Sequence, residues 1–230
     1  MSQPEIYAIP GFNDPVSALS HLGGAGVFAV LTVFLLRRGW GSFGRMASLA
    51  LFAFTFLFLL SMSGVYHLLA PGTARAVLRR LDHSAIFTMI AGTFTPVHTI
   101  LFRGPGRWGP LVFIWLAAAA GICLKAVFFG GVANWMGIAI FLAMGWVGIV
   151  PGVILWRRYG SSFIRPLICG ALAYTFGAFL ELLGWPVLVP GVVGPHEVFH
   201  VAVLAGAGFH WRFVSQFASG QVPSGMMKAD

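Results

Sequence analysis

Charge is what this sequence has least of. Asp, Glu, Lys and Arg together make up 9% of its 230 residues, against about 25% in ordinary soluble domains, and only six residues are acidic. A chain this poor in charge cannot clothe a water-facing surface. With 58% hydrophobic residues and a mean hydropathy of +0.88, it reads as an integral membrane protein. Cysteine is nearly missing as well: Cys123 and Cys169 both lie inside apolar runs, which excludes a disulfide framework and a cysteine metal site. No tandem repeat or long polar stretch interrupts the chain, so no folded domain outside the bilayer is expected. The opening stretch MSQPEIYAIPGFNDPVSALS has neither the basic n-region nor the small-residue cleavage site of a signal peptide, so the first apolar run is expected to be retained.

What the sequence does have is apolar runs of membrane length. A bilayer core takes about 20 mostly apolar residues per helix. Seven stretches qualify: 17–36, 46–69, 83–102, 108–128, 132–156, 163–183 and 196–217. The breaks between them carry turn and charge signals, such as RRGWGSFGR (37–45), APGTARAVLRR (70–80) and RRYGSSFIR (157–165). The expectation is all-α: a polytopic bundle of seven transmembrane helices over residues 17–217, with an intramembrane metal site. A short polar segment (1–16) precedes it and a polar tail (218–230) follows.

The net charge of +8 does not point to nucleic acid, because the basic residues sit in groups between spans rather than along one polar face. Of the 14, four (Arg75, Arg79, Arg80 and Lys125) fall on one side of the bundle and the remaining ten, from Arg37 to Lys228, on the other. By the positive-inside rule the larger group is cytoplasmic, which puts the N-terminus outside and the C-terminus inside.

Ionisable groups within spans are expensive and point to function by default. Odd helices start, and even helices end, on the face of the N-terminus. His21, Ser63, His67, Asp82, His83, Glu181, His196, Glu197 and His200 all fall there, and only His98 and His210 fall toward the other face. His21, His98 and His210 read singly as interhelical hydrogen-bonding residues, and His83 and Glu181 as interfacial. Ser63 and His67 are four residues apart, as are His196 and His200, so each pair projects from one side of its helix. Two histidines one turn apart plus a third from a facing helix give the three-ligand zinc arrangement with an open position for water. Asp82 is placed to orient that water or move its proton. The stretch HEVFH (196–200) also fits H-E-x-x-H, in which Glu197 would be the general base of a metalloprotease and Glu181 a candidate third ligand. That reading leaves Ser63, His67 and Asp82 without a role.

SGVYH (63–67), LDHSAIFTMIAGTFTP (81–96), PHEVFH (195–200) and DPVSALSHLGGAG (14–26) together resemble the motifs of the hemolysin III-related bacterial branch of the progestin and adiponectin receptor (PAQR) family, in a superfamily with alkaline ceramidases. The resemblance covers nearly the whole chain. It implies zinc held by His67, His196 and His200, with Asp82 and Ser63 beside the zinc-bound water. It also implies a zinc-dependent hydrolase of a membrane lipid amide or ester, in a bacterial inner membrane. The alternative is a non-enzymatic receptor-like or channel-forming protein with a structural zinc. The expected partner is a membrane lipid, as substrate or effector, with no nucleic acid. The small residues of GGAG (23–26) can pack helices within one chain or between two copies in a homo-oligomer.

Overall fold

The computed structural model describes residue 7 and residues 12–222. Lys228 and most of the two polar ends (1–16 and 218–230) lie outside the described residues. Eight α-helical segments follow one another: α1 (Pro15–Gly39), α2 (Phe43–Leu68), α3 (Thr73–Leu101), α4 (Pro105–Val127), α5 (Asn134–Trp146), α6 (Ile149–Tyr159), α7 (Ser161–Leu183) and α8 (Pro195–Ser215). No strand occurs among the described residues; an isolated bridge joins Val189 and Val193. Among the described residues, six stretches are long and apolar enough to cross a membrane: α1, α2, α3, α4, the α5–α6 pair taken as one, and α7. The eighth helix is not among them.

Local chemistry sets the boundaries. Pro15, Pro105 and Pro195 each occupy the first turn of a helix, where the missing N–H has no intrahelical partner anyway. Gly184 ends α7 in the left-handed region at φ 64°, which a side chain would disfavour. The break between α5 and α6 falls at Val147–Gly148. Pro151 explains it, because its ring conflicts with the carbonyl of residue 147 and it offers no N–H to that group. The stretch expected as one span over 132–156 is thus two helices in tandem. The third helix starts at Thr73, ten residues before the expected 83. Ala74, Ala76, Val77, Leu78 and the arginines between them favour helix, so Arg75, Arg79, Arg80 and Asp82 ride on α3 rather than in a loop.

α3 runs through the middle of the bundle: 72% of its most apolar window is buried, against 17% for α1 and 28% for α4. α1, α2 and α4 pack against their sequence neighbours, α7 packs on α8, and α8 returns to α1. The outward faces are apolar, with Val30, Phe34, Phe54, Leu116 and Phe179 exposed, as lipid contact requires. Trp40, Trp108, Trp135 and Trp185 sit exposed near helix ends, where membrane interfaces place such rings. One half of the interior is an aromatic core in which Phe28, Phe52, Phe56 and Trp211 touch. A second apolar cluster, with Phe87, Phe94, Ile114 and Met144, lies between α3, α4 and α5, and the buried polar side chains gather at one end of the bundle.

Candidate metal centre

The polar end forms where the start of α1, the end of α2, the first turns of α3, the end of α7 and the start of α8 come together. His67 lies in the last turn of α2, and His196 and His200 lie in the first two turns of α8. Their rings converge. Nε2 of His196 is 3.3 Å from Nε2 of His67 and 3.2 Å from Nε2 of His200, and a ligand atom from each of the three lies within 4.8 Å of the others. His67 and His200 are buried and His196 is partly exposed.

The other side of the first two rings is occupied. Nδ1 of His67 lies 2.8 Å from Oδ2 of Asp14, the residue just before α1. Asp14 also accepts from Arg75 at 2.6 Å. Burial pushes the Asp14 carboxyl upward, but hydrogen bonds from His67 and Arg75 and the positive charge of Arg75 outweigh it and bring it down to about 2. An ionised carboxylate only accepts, so Nδ1 of His67 carries the proton and its Nε2 presents a lone pair. Nδ1 of His196 lies 3.3 Å from Oε1 of Glu181, which sets the same tautomer. Acceptor nitrogens facing one another at this distance repel unless a cation lies between them. The spacing suits one: tetrahedral ligands at the usual Zn–N distance stand about 3.3–3.4 Å apart. The donor set, three neutral imidazoles from two helices, fits zinc.

Ser63 and Asp82 are buried and line the same cavity as His196 and His200. This cavity, of about 650 Å³, extends from the histidines along α3, α5, α6 and α7. Beyond the histidine end its walls are largely apolar, with Met89, Phe94, Val97, Leu155 and Val203 among them. His21 also lines it. Its ring stacks on that of His200, centroids 3.8 Å apart, and among the described residues neither of its nitrogens has a hydrogen-bond partner of normal geometry. His98 and His210 do bond to neighbouring helices, through the carbonyls of Gly106 and Leu167. Nδ1 of His83 faces the carbonyl of Arg79 in its own helix.

Glu197 is placed differently from a metalloprotease base. It is buried, with Oε1 accepting from the Ser17 hydroxyl at 2.8 Å and Oε2 from the Gly194 N–H at 2.9 Å. Both oxygens are committed to capping α8 and tying it to α1. Glu181 meets a histidine's Nδ1 rather than joining the converging Nε2 atoms. The literal H-E-x-x-H arrangement is therefore not formed. Sequence reasoning passed over Asp14 and Arg75. The available signal was scarcity: Asp14, Asp82, Glu181 and Glu197 are four of only six acidic residues, and all four gather at this end.

The family described as Haemolysin-III related matches residues 11–211. Hemolysin-3 of Bacillus cereus is 28% identical over 197 residues, covering 85% of this chain and 87% of that protein. The Hemolysin-3 homolog of Bacillus subtilis is 27% identical over 199 residues, covering 85% and 89%. Heptahelical transmembrane protein ADIPOR2 of Oryza sativa subsp. japonica is 33% identical over 168 residues, covering 66% and 73%. Membrane-length helices, three histidines meeting at one end of the bundle and a family match over most of its length make this an integral membrane protein that belongs to the haemolysin-III-related, PAQR-type family.

Proposed function

We propose that the protein is a zinc-dependent hydrolase of a membrane lipid amide or ester that contributes to membrane homeostasis, with His67, His196 and His200 holding the zinc. The observation that carries this reading is the convergence of three imidazole Nε2 atoms at one end of a largely apolar cavity. Zinc at such a site supplies Lewis acidity toward a carbonyl and lowers the pKa of a coordinated water to about 7. Asp82 takes up the proton released on attack and passes it to the leaving nitrogen or oxygen. The Ser63 hydroxyl donates to the substrate oxygen that gains negative charge. The cavity walls of α3, α5, α6 and α7 hold an acyl chain, which enters from the bilayer.

The working topology has seven spans, with α8 as the seventh. Its 21 residues reach about 32 Å at 1.5 Å per residue, it packs on α7 and α1, and a relative is named heptahelical. The Bacillus relatives favour a bacterial inner membrane, and the loop charges favour an outside N-terminus.

A second reading draws on the printed name Hemolysin-3: a receptor-like or channel-forming, cytolytic protein with a structural zinc. The apolar cavity speaks against an aqueous path, which needs polar lining. One experiment separates the two. Zinc per chain is measured in detergent-purified wild type and His67→Ala, and the wild type is assayed on a panel of lipid amides and esters. The hydrolase reading expects near-stoichiometric zinc, its loss in His67→Ala, and turnover that Asp82→Asn abolishes while keeping zinc. Zinc without turnover on any lipid would favour the structural reading. Absence of zinc from folded wild type would remove both.

A further inference from the structure

We infer that Asp14 and Glu181 are positioning residues of the metal centre: each carboxylate holds the Nδ1–H of one histidine so that its Nε2 faces the shared point. The inference rests on the zinc reading above and concerns how the site is built. Two of the three rings show the same arrangement, each from a different element: Asp14 Oδ2 with His67 Nδ1 at 2.8 Å and Glu181 Oε1 with His196 Nδ1 at 3.3 Å. A carboxylate behind a ligating imidazole fixes its tautomer, orients its plane and raises its basicity.

Asp14 is itself held. Arg75 of α3 donates to it at 2.6 Å, also donates to the Leu69 carbonyl at the end of α2, and lies over the Tyr66 ring at 4.7 Å from its centroid. The backbone of the same segment pairs as well, the Asn13 and Asp14 N–H groups donating to the Leu68 and His67 carbonyls. The segment before α1 is thereby fastened to the end of α2, and the residue doing the fastening points at the ligand. Among the described residues no carboxylate backs His200: its Nδ1 is buried without a hydrogen-bond partner of normal geometry there, and its ring stacks on that of His21. The centre is thus supported unequally, by charge on His67 and His196 and by packing on His200.

The test measures zinc affinity of the full-length protein in detergent by competition with a chelator, for wild type, Asp14→Asn and Glu181→Gln, alongside the thermal midpoint of each metal-stripped form and the cobalt(II) absorption spectrum of each loaded form. Asp14→Asn is expected to lose about 10–100-fold in zinc affinity, with altered cobalt band positions or intensities and only a modest fall in the metal-free midpoint from the weakened pair with Arg75. Glu181→Gln is expected to lose less, because its contact is longer, and Asp14→Glu to recover part of the loss. Unchanged affinity in both Asp14→Asn and Glu181→Gln would overturn the inference while leaving the zinc reading in place. So would a metal-free midpoint that falls in step with affinity, since that marks a merely structural role. Wild type that binds no zinc would overturn the inference together with the reading beneath it.

Discussion

Glu197 lies between two converging histidines in sequence, yet its carboxylate turns to Ser17 of α1 and to the Gly194 N–H just before α8. Its neighbours give the energetics. The Ser17 hydroxyl and the Gly194 N–H both donate to it from buried positions, and a buried donor left without an acceptor costs about 1–3 kcal/mol. Glu197→Ala is therefore expected to lower the thermal midpoint clearly while zinc remains bound. Glu197→Gln keeps an oxygen for the Gly194 N–H and an amide that can donate to Ser17 Oγ, so it should melt close to wild type. Loss of zinc from Glu197→Gln would instead put this carboxylate in the metal centre. The converging histidines were legible in the sequence because i, i+4 spacing and membrane depth can be counted along a helix. The direction of a carboxylate cannot. Glu197 and Glu181 each had two sides to face, and only the packing of α1 and α7 against α8 decides between them.

At the scale of elements, hydropathy finds the lipid-facing length of a helix and misses what extends beyond it. α3 begins ten residues earlier than its apolar run because Arg75, Arg79 and Arg80 form helical turns at the polar end of the bundle, where Arg75 meets Asp14 and Arg79 lies over Phe129. The composition of α8 shows the converse. His196, Glu197, His200, His210 and Arg212 dilute its apolar residues, so the helix that carries most of the site is the one that fails a composition test for crossing. Helix contacts are tightest where glycine sits. A Cβ on Gly64 of α2 would come within 2.6–2.8 Å of Leu22 side-chain atoms and 3.1 Å of its backbone nitrogen, whereas one on Gly23 would meet nothing within 4 Å. Gly64→Ala is expected to destabilise by about 1–3 kcal/mol through overpacking, and its proximity to His67 makes weakened zinc binding a second readout. Gly23→Ala should be neutral or slightly stabilising, since alanine favours helix by about 1 kcal/mol. Equal melting of the two variants would show that α1 and α2 do not approach as closely as described. Of the GGAG stretch, Gly24 meets Leu204 of α8 and Leu60 of α2, while Gly23 and Gly26 meet nothing; its packing within the chain accounts for one glycine.

For the whole molecule, the charges bear on which leaflet holds the end with the three histidines. The four basic residues at that end are engaged locally. Arg75 pairs with Asp14, Arg80 donates to the Ala126 carbonyl, and Arg79 and Lys125 both lie against the Phe129 ring. At the opposite end Arg37, Arg38, Arg107, Arg157, Arg158 and Arg165 lie near the ends of their helices and Arg103 in the connection between α3 and α4, where the positive-inside bias acts. Arg38, Arg45, Arg107 and Arg158 of the larger group donate to nearby carbonyls as well, so local engagement does not separate the two groups and the larger number should decide orientation. On the proposed seven-span topology, α8 starts at the three histidines and ends at the other face, so the location of the C-terminus reports the opposite of the location of the histidines. A C-terminal fluorescent fusion is expected to be bright and a C-terminal alkaline phosphatase fusion inactive in a bacterial host, which puts the C-terminus in the cytoplasm and the histidines in the outer half of the bilayer. Lipids presented from outside would then reach the cavity first. The reverse pattern would place Asp14, Arg75 and the converging histidines at the cytoplasmic leaflet, and would mean that the arginines at the start of α3 outweigh the ten basic residues assigned to the other side.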